Sequence, residues 1–140
     1  MAERDPKSVV SAMFAAWDAA DLDGVMAYYG DDVVVRGPGG MRTEGAPAAR
    51  EVFGNLLGAY AGGHSEVLQQ FVDGDYVITE YRDVNEHTGP LTLMTGEHID
   101  PTGQTVTQEI VFIHHVVNGK IVEETAYFDR HGFLQQIGQV

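Results

Sequence analysis

"GKIVEETAYFDRHGFLQQIG", residues 119–138, decides how the chain folds. It reads as a strand that ends in two aromatics and an aspartate, Tyr127-Phe128-Asp129, and then turns into a short amphipathic tail. The strand before it runs from Thr105 to Val117, and the two turn on Asn118-Gly119. A two-residue loop places Ala126 opposite Val111, whereas a three-residue loop with a bulge at Gly119 places it opposite Ile110. Carboxylates that could move a proton here are Glu123, Glu124 and Asp129, with Ala126 standing between them.

Working outward, the strand 105–117 is apolar on both faces, with Ile110 and Phe112 on one and Val111 and Ile113 on the other. Both faces therefore need cover. Helices and a pocket can supply one cover and a second subunit the other, so a homodimer is expected. "SEVLQQFV" and "YVITEYRDVNEH" flank Asp73-Gly74, a hairpin signal. "LTLMTGEHI", residues 91–99, is expected to be a further strand, and it and "TVTQEIVFIHHVV" flank "DPTG", a turn by composition.

The first part of the chain is helical in pattern. Val9, Val10, Met13, Phe14 and Trp17 recur at spacings of three and four, after an Asp5-Pro6 start signal. Asp21 can cap a second short helix running through Tyr29. "DDVVVRG" is a strand ended by "GPGG". A third helix from about Pro47 carries Val52, Phe53, Leu56, Leu57 and Tyr60 on one side, with Gly62-Gly63 as its stop. Helices first and strands later make the class α+β, a single domain over residues 1–140.

The charge is −13, with 8 Lys and Arg against 21 Asp and Glu, which argues against nucleic acid and anionic membranes. There are no cysteines, so disulfides, thiolate nucleophiles and cysteine metal sites are excluded. "MAERDPKSVV" lacks the apolar run of a signal peptide, and nothing approaches the ~20 apolar residues of a membrane span. A soluble, cytoplasmic protein is expected.

Metal chemistry finds little support. His114 and His115 are adjacent, so on a strand they point to opposite faces, and His87 and His98 lie on different segments. "GPGG" lacks the ending of a phosphate loop, no dinucleotide fingerprint follows a strand, and no Gly-x-Ser-x-Gly elbow exists. What remains is proton transfer without a cofactor or metal, in an apolar cavity with one or two ionisable groups tuned by burial.

Along residues 76–87, Val77, Thr79, Tyr81, Asp83, Asn85 and His87 share one face, apolar first and polar later, as on a strand running from core to pocket mouth. Asp83 is the leading candidate for a base, weighed against a strand-end carboxylate paired with Arg82 or a turn. Tyr81, on the same face, is positioned to donate to a developing enolate oxygen, weighed against a packed aromatic. His114 shares a face with Phe112 and is either a pocket acid–base group or a core histidine with both nitrogens bonded. His87, near a turn, is expected to be exposed. Glu123 and Glu124 are expected to be solvated strand residues. Trp17, Phe53 and Tyr28 sit on packing stripes.

"AWDAADLDGVMAYYGDDVVVRGP" and "NGKIVEETAYFDRHGFLQQIG" resemble the SnoaL-like polyketide cyclases, within the nuclear-transport-factor-2-like superfamily that includes ketosteroid isomerases and limonene epoxide hydrolases. The resemblance covers nearly the whole chain. It implies a cone: a curved mixed sheet around an apolar pocket closed by three N-terminal helices, whose packing faces, Trp17 and Phe53 among them, line the pocket. It also places the family's acid–base aspartate at Ala126 and its polar partner at Phe112, so the usual pair is replaced by pocket wall. The ketosteroid-isomerase residues fall at Met13, near Gly37 and near Phe112, and are likewise missing. "TEYRDV" is similar to the epoxide hydrolases' Thr-Glu-Arg-x-Asp-Val, with Asp83 at the aspartate and Tyr81 in place of arginine. Asp129 matches the family's structural aspartate and is expected to cap the terminal turn.

The resulting expectation is an acid–base enzyme on an apolar, oxygenated small molecule, of polyketide-cyclase or isomerase type, using Asp83, Tyr81 and His114. Water activation by Asp83 on an epoxide and a non-catalytic binding module are the alternatives.

Overall fold

Asp5 caps the first helix, accepting a hydrogen bond from the Ser8 amide at 3.3 Å, and Pro6 fills the first helical position, where no amide is needed. The structure is a computed structural model that describes residues 5–93 and 95–140. Residues 1–4, part of the charged opening, and Met94, inside the expected strand 91–99, lie outside the described residues. Helix α1 spans Pro6–Asp18 and buries Val9, Val10, Met13 and Phe14. Asp21 caps α2, Leu22–Met26, through the Gly24 amide at 2.9 Å. This helix is shorter than its sequence suggests, because Tyr29 already begins strand β1, Tyr29–Gly37. The Gly-Pro-Gly-Gly stretch forms a single 3₁₀ turn and leads into β2, Met41–Glu44.

Helix α3 spans Ala46–Ala59, and the chain passes directly into β3, Tyr60–Asp73. Gly62 and Gly63 therefore lie within a strand and do not stop the helix. The stop is set at Tyr60, whose extended backbone (φ −123°, ψ 143°) leaves the Ala59 carbonyl to accept from the Thr88 and Gly89 amides. Strand β4, Tyr76–His87, pairs with β3 around Gly74-Asp75, with Gly74 in the left-handed region at φ 59°.

Residues 91–99 form a small hairpin of their own, β5 Leu91–Thr92 and β6 His98–Ile99, instead of one long strand. Its Leu91 and Ile99 bury against Ala59, Val106 and Ile137, and Gly96 at φ 86° makes the turn. Strand β7, Thr105–Val117, passes over this hairpin to pair with β4, and β8, Lys120–Phe128, follows. Helix α4, Arg130–Gln136, closes the chain. Asp129 caps it as expected, accepting from the Gly132 amide at 2.8 Å.

The six long strands run in the order β2-β1-β8-β7-β4-β3, with only β1 and β8 parallel. The result is an α+β protein with a curved mixed sheet that does not close on itself, and with α1 and α3 against its inner face.

The register at the last hairpin differs from both sequence alternatives. Asn118 (φ 51°) and Gly119 (φ 76°) form a two-residue loop and Val117 pairs with Lys120, yet Ala126 lies opposite Phe112. The cause is one extra residue on β8. Val116 pairs with Ile121 and His115 with Glu123, which leaves Val122 as a bulge. Past the bulge the alternation reverses. Ile121 faces the core, and so do Glu124 and Ala126 three and five residues later, while Glu123 turns outward.

Candidate active site

The inner face of β4 is the one its alternation assigns. Val77, Thr79 and Tyr81 are buried, Asp83 and Asn85 half-buried, while Tyr76 and Ile78 are exposed on the other side. Pairing extends each inward residue into a row across the sheet. Val77, His114 and Glu124 form one row; Thr79, Phe112 and Ala126 the next; Tyr81, Ile110 and Phe128 the third; Asp83 and Gln108 the fourth. Between these rows and the helices lies a cavity of about 550 Å³. Its walls are mostly apolar, with Phe14, Trp17, Phe53, Ile110, Phe112 and Ala126 all contributing. Trp17 and Phe53 meet edge to face at 5.7 Å, so one contact both packs the helices and walls the cavity.

One end of the cavity is acidic. Asp83 stands in the wall, and burial pushes its carboxyl up from 3.8 to about 6; a hydrogen bond from Asn85 opposes the rise and the Asp18 charge adds to it. Arg82, on the opposite face, pairs with Glu66 and Glu109 instead, both at 3.3 Å. Tyr81 stacks on Phe14 at 4.7 Å and donates to Asp18 Oδ1 at 3.3 Å, with Ser65 donating to the same oxygen. Burial, against a hydrogen bond from Ser65 and with the Asp18 and Asp83 charges, raises the Tyr81 phenol. The Tyr60 phenol is raised by burial first and then by the charge of Asp83.

The other end of the cavity holds a second carboxylate, Glu124. Glu124 is 5% exposed and lines the cavity, so it is not the solvated strand residue expected; the bulge at Val122 turns it inward. Its Oε1 accepts from the Tyr29 hydroxyl at 2.5 Å and from His114 Nε2 at 2.7 Å. The Tyr29 phenol is raised by burial first, then by the Glu124 charge and its hydrogen bond. His114 is fully buried but is not part of the cavity wall. Phe112 stacks on it at 5.5 Å and Phe14 meets it edge-on at 5.9 Å. It is thus a core histidine bonded through one nitrogen, since Nδ1 has no hydrogen-bond partner among the described residues. It touches the cavity's chemistry only through Glu124. Glu123 faces outward and pairs with Arg36 at 3.3 Å.

A further histidine differs from expectation. His87 is fully buried, with Nδ1 2.9 Å from the Thr102 hydroxyl, because the loop 100–104 folds back over the end of β4. His98 bonds Thr92 on the small hairpin, so the two do not meet. Among the described residues no three His, Asp or Glu side chains converge as metal ligands, and no helix is long and apolar enough to cross a membrane. A signal for Glu124 was present. It stands two residues before Ala126, so a strand that turns Ala126 into the cavity turns Glu124 the same way.

A curved mixed sheet with three N-terminal helices over a cavity is the fold of nuclear-transport-factor-2-like proteins. The sequence matches the SnoaL-like domain over residues 10–124, and the chain belongs to that family. Among solved structures, AclR, a proposed hydroxylase from Streptomyces galilaeus, is 24% identical, with 97% of each chain covered and a TM-score of 0.80. A proposed SnoaL-like polyketide cyclase from Jannaschia sp. CCS1 is 19% identical, covering 96% of this chain and 92% of its own, with a TM-score of 0.83. An LEH-like epoxide hydrolase from M. tuberculosis is 24% identical over 92% of this chain and 89% of its own, with a TM-score of 0.69. At these identities the likeness is one of fold. No curated protein matches the sequence.

Proposed function

We propose that this chain is an acid–base enzyme that needs no cofactor, acts on an apolar, oxygenated small molecule in the manner of a polyketide cyclase or isomerase, and uses Asp83 as its base. The observation that carries this reading is a carboxylate set in the wall of an apolar cavity of about 550 Å³ and held up to about 6 by burial. Such a group is mostly ionised near neutral pH yet far more basic than an exposed aspartate, the compromise a general base requires.

In the proposed step Asp83 removes a proton from a carbon next to a carbonyl. The bond electrons move onto the carbonyl oxygen, the carboxyl trades the proton it has taken for one from solvent, and it then returns a proton to carbon. Tyr81 donates to that oxygen. Its present bond to Asp18, at 3.3 Å, is long enough for a better-placed acceptor to replace. Apolar walls keep water from competing and supply the affinity for the substrate's body. His114 enters only as a support for Glu124.

The experiment is solvent deuterium exchange at the carbonyl-adjacent carbons of 2-tetralone, an apolar enolisable ketone, followed by NMR. Wild type is expected to accelerate exchange over buffer, and Asp83→Asn to lose roughly 10²–10⁴ of that acceleration. A wild type that binds the ketone without exchanging its protons would overturn the reading in favour of a binding module. The likeness to an epoxide hydrolase and the Asp83 position support water activation as the second reading. Labelled solvent oxygen entering the diol formed from cyclohexene oxide would establish it.

A further inference from the structure

We infer that Glu124 is a second recognition group, one that takes a hydroxyl at the end of the substrate remote from Asp83, so that the substrate is an elongated apolar molecule oxygenated at both ends. The inference rests on the reading that the cavity takes an apolar, oxygenated small molecule.

Three observations carry it. First, both hydrogen bonds to Glu124 fall on one oxygen: Tyr29 and His114 converge on Oε1, and among the described residues Oε2 accepts none. A carboxylate that is 5% exposed and lines an apolar cavity is costly to bury unless its oxygens are satisfied. Oε2 is therefore the oxygen left for a guest, and the guest group that fits is a hydrogen-bond donor. Second, the support is stiff. His114 is clamped between Phe14 and Phe112, and Tyr29 is buried against Phe53 at 5.1 Å, so Tyr29 and His114 act as positioning residues. Third, the neighbouring row offers access. Ala126 follows Glu124 on the same face, and its methyl group leaves open the path that a longer side chain would fill.

The rows set the ligand's shape. Gln108, opposite Asp83, and His114, opposite Glu124, are six residues apart on β7. That is about 20 Å of backbone at ~3.3 Å per residue, less on a curved strand. Side chains reaching inward from both ends leave room for a body of fused rings between them. The position that family resemblance gives to an acid holds Ala126, and a carboxylate stands one row further in.

The test compares 2-naphthol with 2-methoxynaphthalene, which keeps the rings and loses the donor. Trp17 is the sole tryptophan and lies in the cavity wall, so its fluorescence reports binding. Wild type is expected to prefer the naphthol by about tenfold or more, the usual scale for a hydrogen bond to a charged group. Glu124→Gln is expected to bring that preference down to about one while still binding the ether. In wild type, the nitrogen resonance of His114 Nε2 reads the Glu124 oxygen directly. It is expected to shift with 2-naphthol and to stay in place with the ether, a measurement that holds if the variant misfolds. Equal binding of the two probes, or an unmoved His114 resonance with the naphthol bound, overturns the Glu124 inference and leaves the cavity reading intact. Failure of both probes to bind wild type overturns the cavity reading itself.

Discussion

Replacing Asp83 with asparagine should make the protein more stable, and by an amount that depends on pH. The carboxyl rises from 3.8 to about 6 in the folded chain, chiefly through burial. At about 1.36 kcal/mol per pH unit this corresponds to about 3 kcal/mol at most. Solvent reaching the half-buried group brings the expected effect to about 2 kcal/mol. The folded state holds the proton more tightly than the unfolded one. The carboxyl therefore costs nothing below about pH 4, costs progressively more as the pH rises from 4 through 6, and costs the full amount above that. Asparagine keeps the shape and removes the titration. Asp18, Tyr60 and Tyr81, which face Asp83 from α1, β3 and β4, are present in both proteins, so the pH-dependent difference isolates Asp83. The assay is urea unfolding followed by Trp17 fluorescence at pH 4 and pH 7.5. With a slope of about 1–3 kcal/mol per molar urea, the variant's midpoint should lie roughly 1 M above wild type at pH 7.5, relative to their difference at pH 4. A difference that is the same at both pH values would refute the claim that burial holds this carboxyl up. Stability gained with activity lost is the usual trade at a working site.

Other expectations follow from single contacts. Tyr29→Phe removes one of two donors from a buried carboxylate and should cost about 1.5–3 kcal/mol in urea unfolding; a loss below about 0.5 kcal/mol would mean the bond is replaced by solvent. Gly89→Ala would drive a Cβ into the backbone carbonyl of Gly58, which no side-chain rotation relieves, so a loss of about 1–3 kcal/mol is expected and a neutral result would contradict the close approach. Phe71, Ile78, Val111 and Tyr127 leave apolar area on the outer face of the sheet, and we propose that a second copy of the chain covers it. Sedimentation equilibrium should give twice the chain mass for wild type and a weakened dimer for Ile78→Glu; a monomeric wild type at micromolar concentration would end that proposal.

What the sequence made legible follows from how local each signal is. The face assignment along β4 needed only a period of two and a turn at one end, and Tyr81 and Asp83 were found that way. The caps at Asp5 and Asp21 are legible for the same reason, since each acts on an amide three residues away, while the cap at Asp129 is legible through the family resemblance. The register of β8 was not, because the extra residue at Val122 depends on neighbours from elsewhere in the chain. Strand β1 pairs in parallel with β8 and shifts its own register there, between Tyr29 and Val34. Turn chemistry at Asn118-Gly119 carries no sign of this, so the expectation puts Glu124 in solvent although its spacing from Ala126 points inward. His87 and the segment 91–99 differ from expectation on similar grounds. Their burial comes from the Thr102 loop and from a satellite core with Ala59 and Ile137, both contacts made far along the chain.

The pH profile of carbonyl-adjacent exchange in 2-tetralone, measured as kcat/KM, bears most directly on Asp83 as the base. The expected profile rises with pH and levels off past an apparent pKa of about 6, and in Asp83→Asn that limb is gone. A profile identical in the two proteins, or one that falls as pH rises through 6, would mean that another group takes the proton.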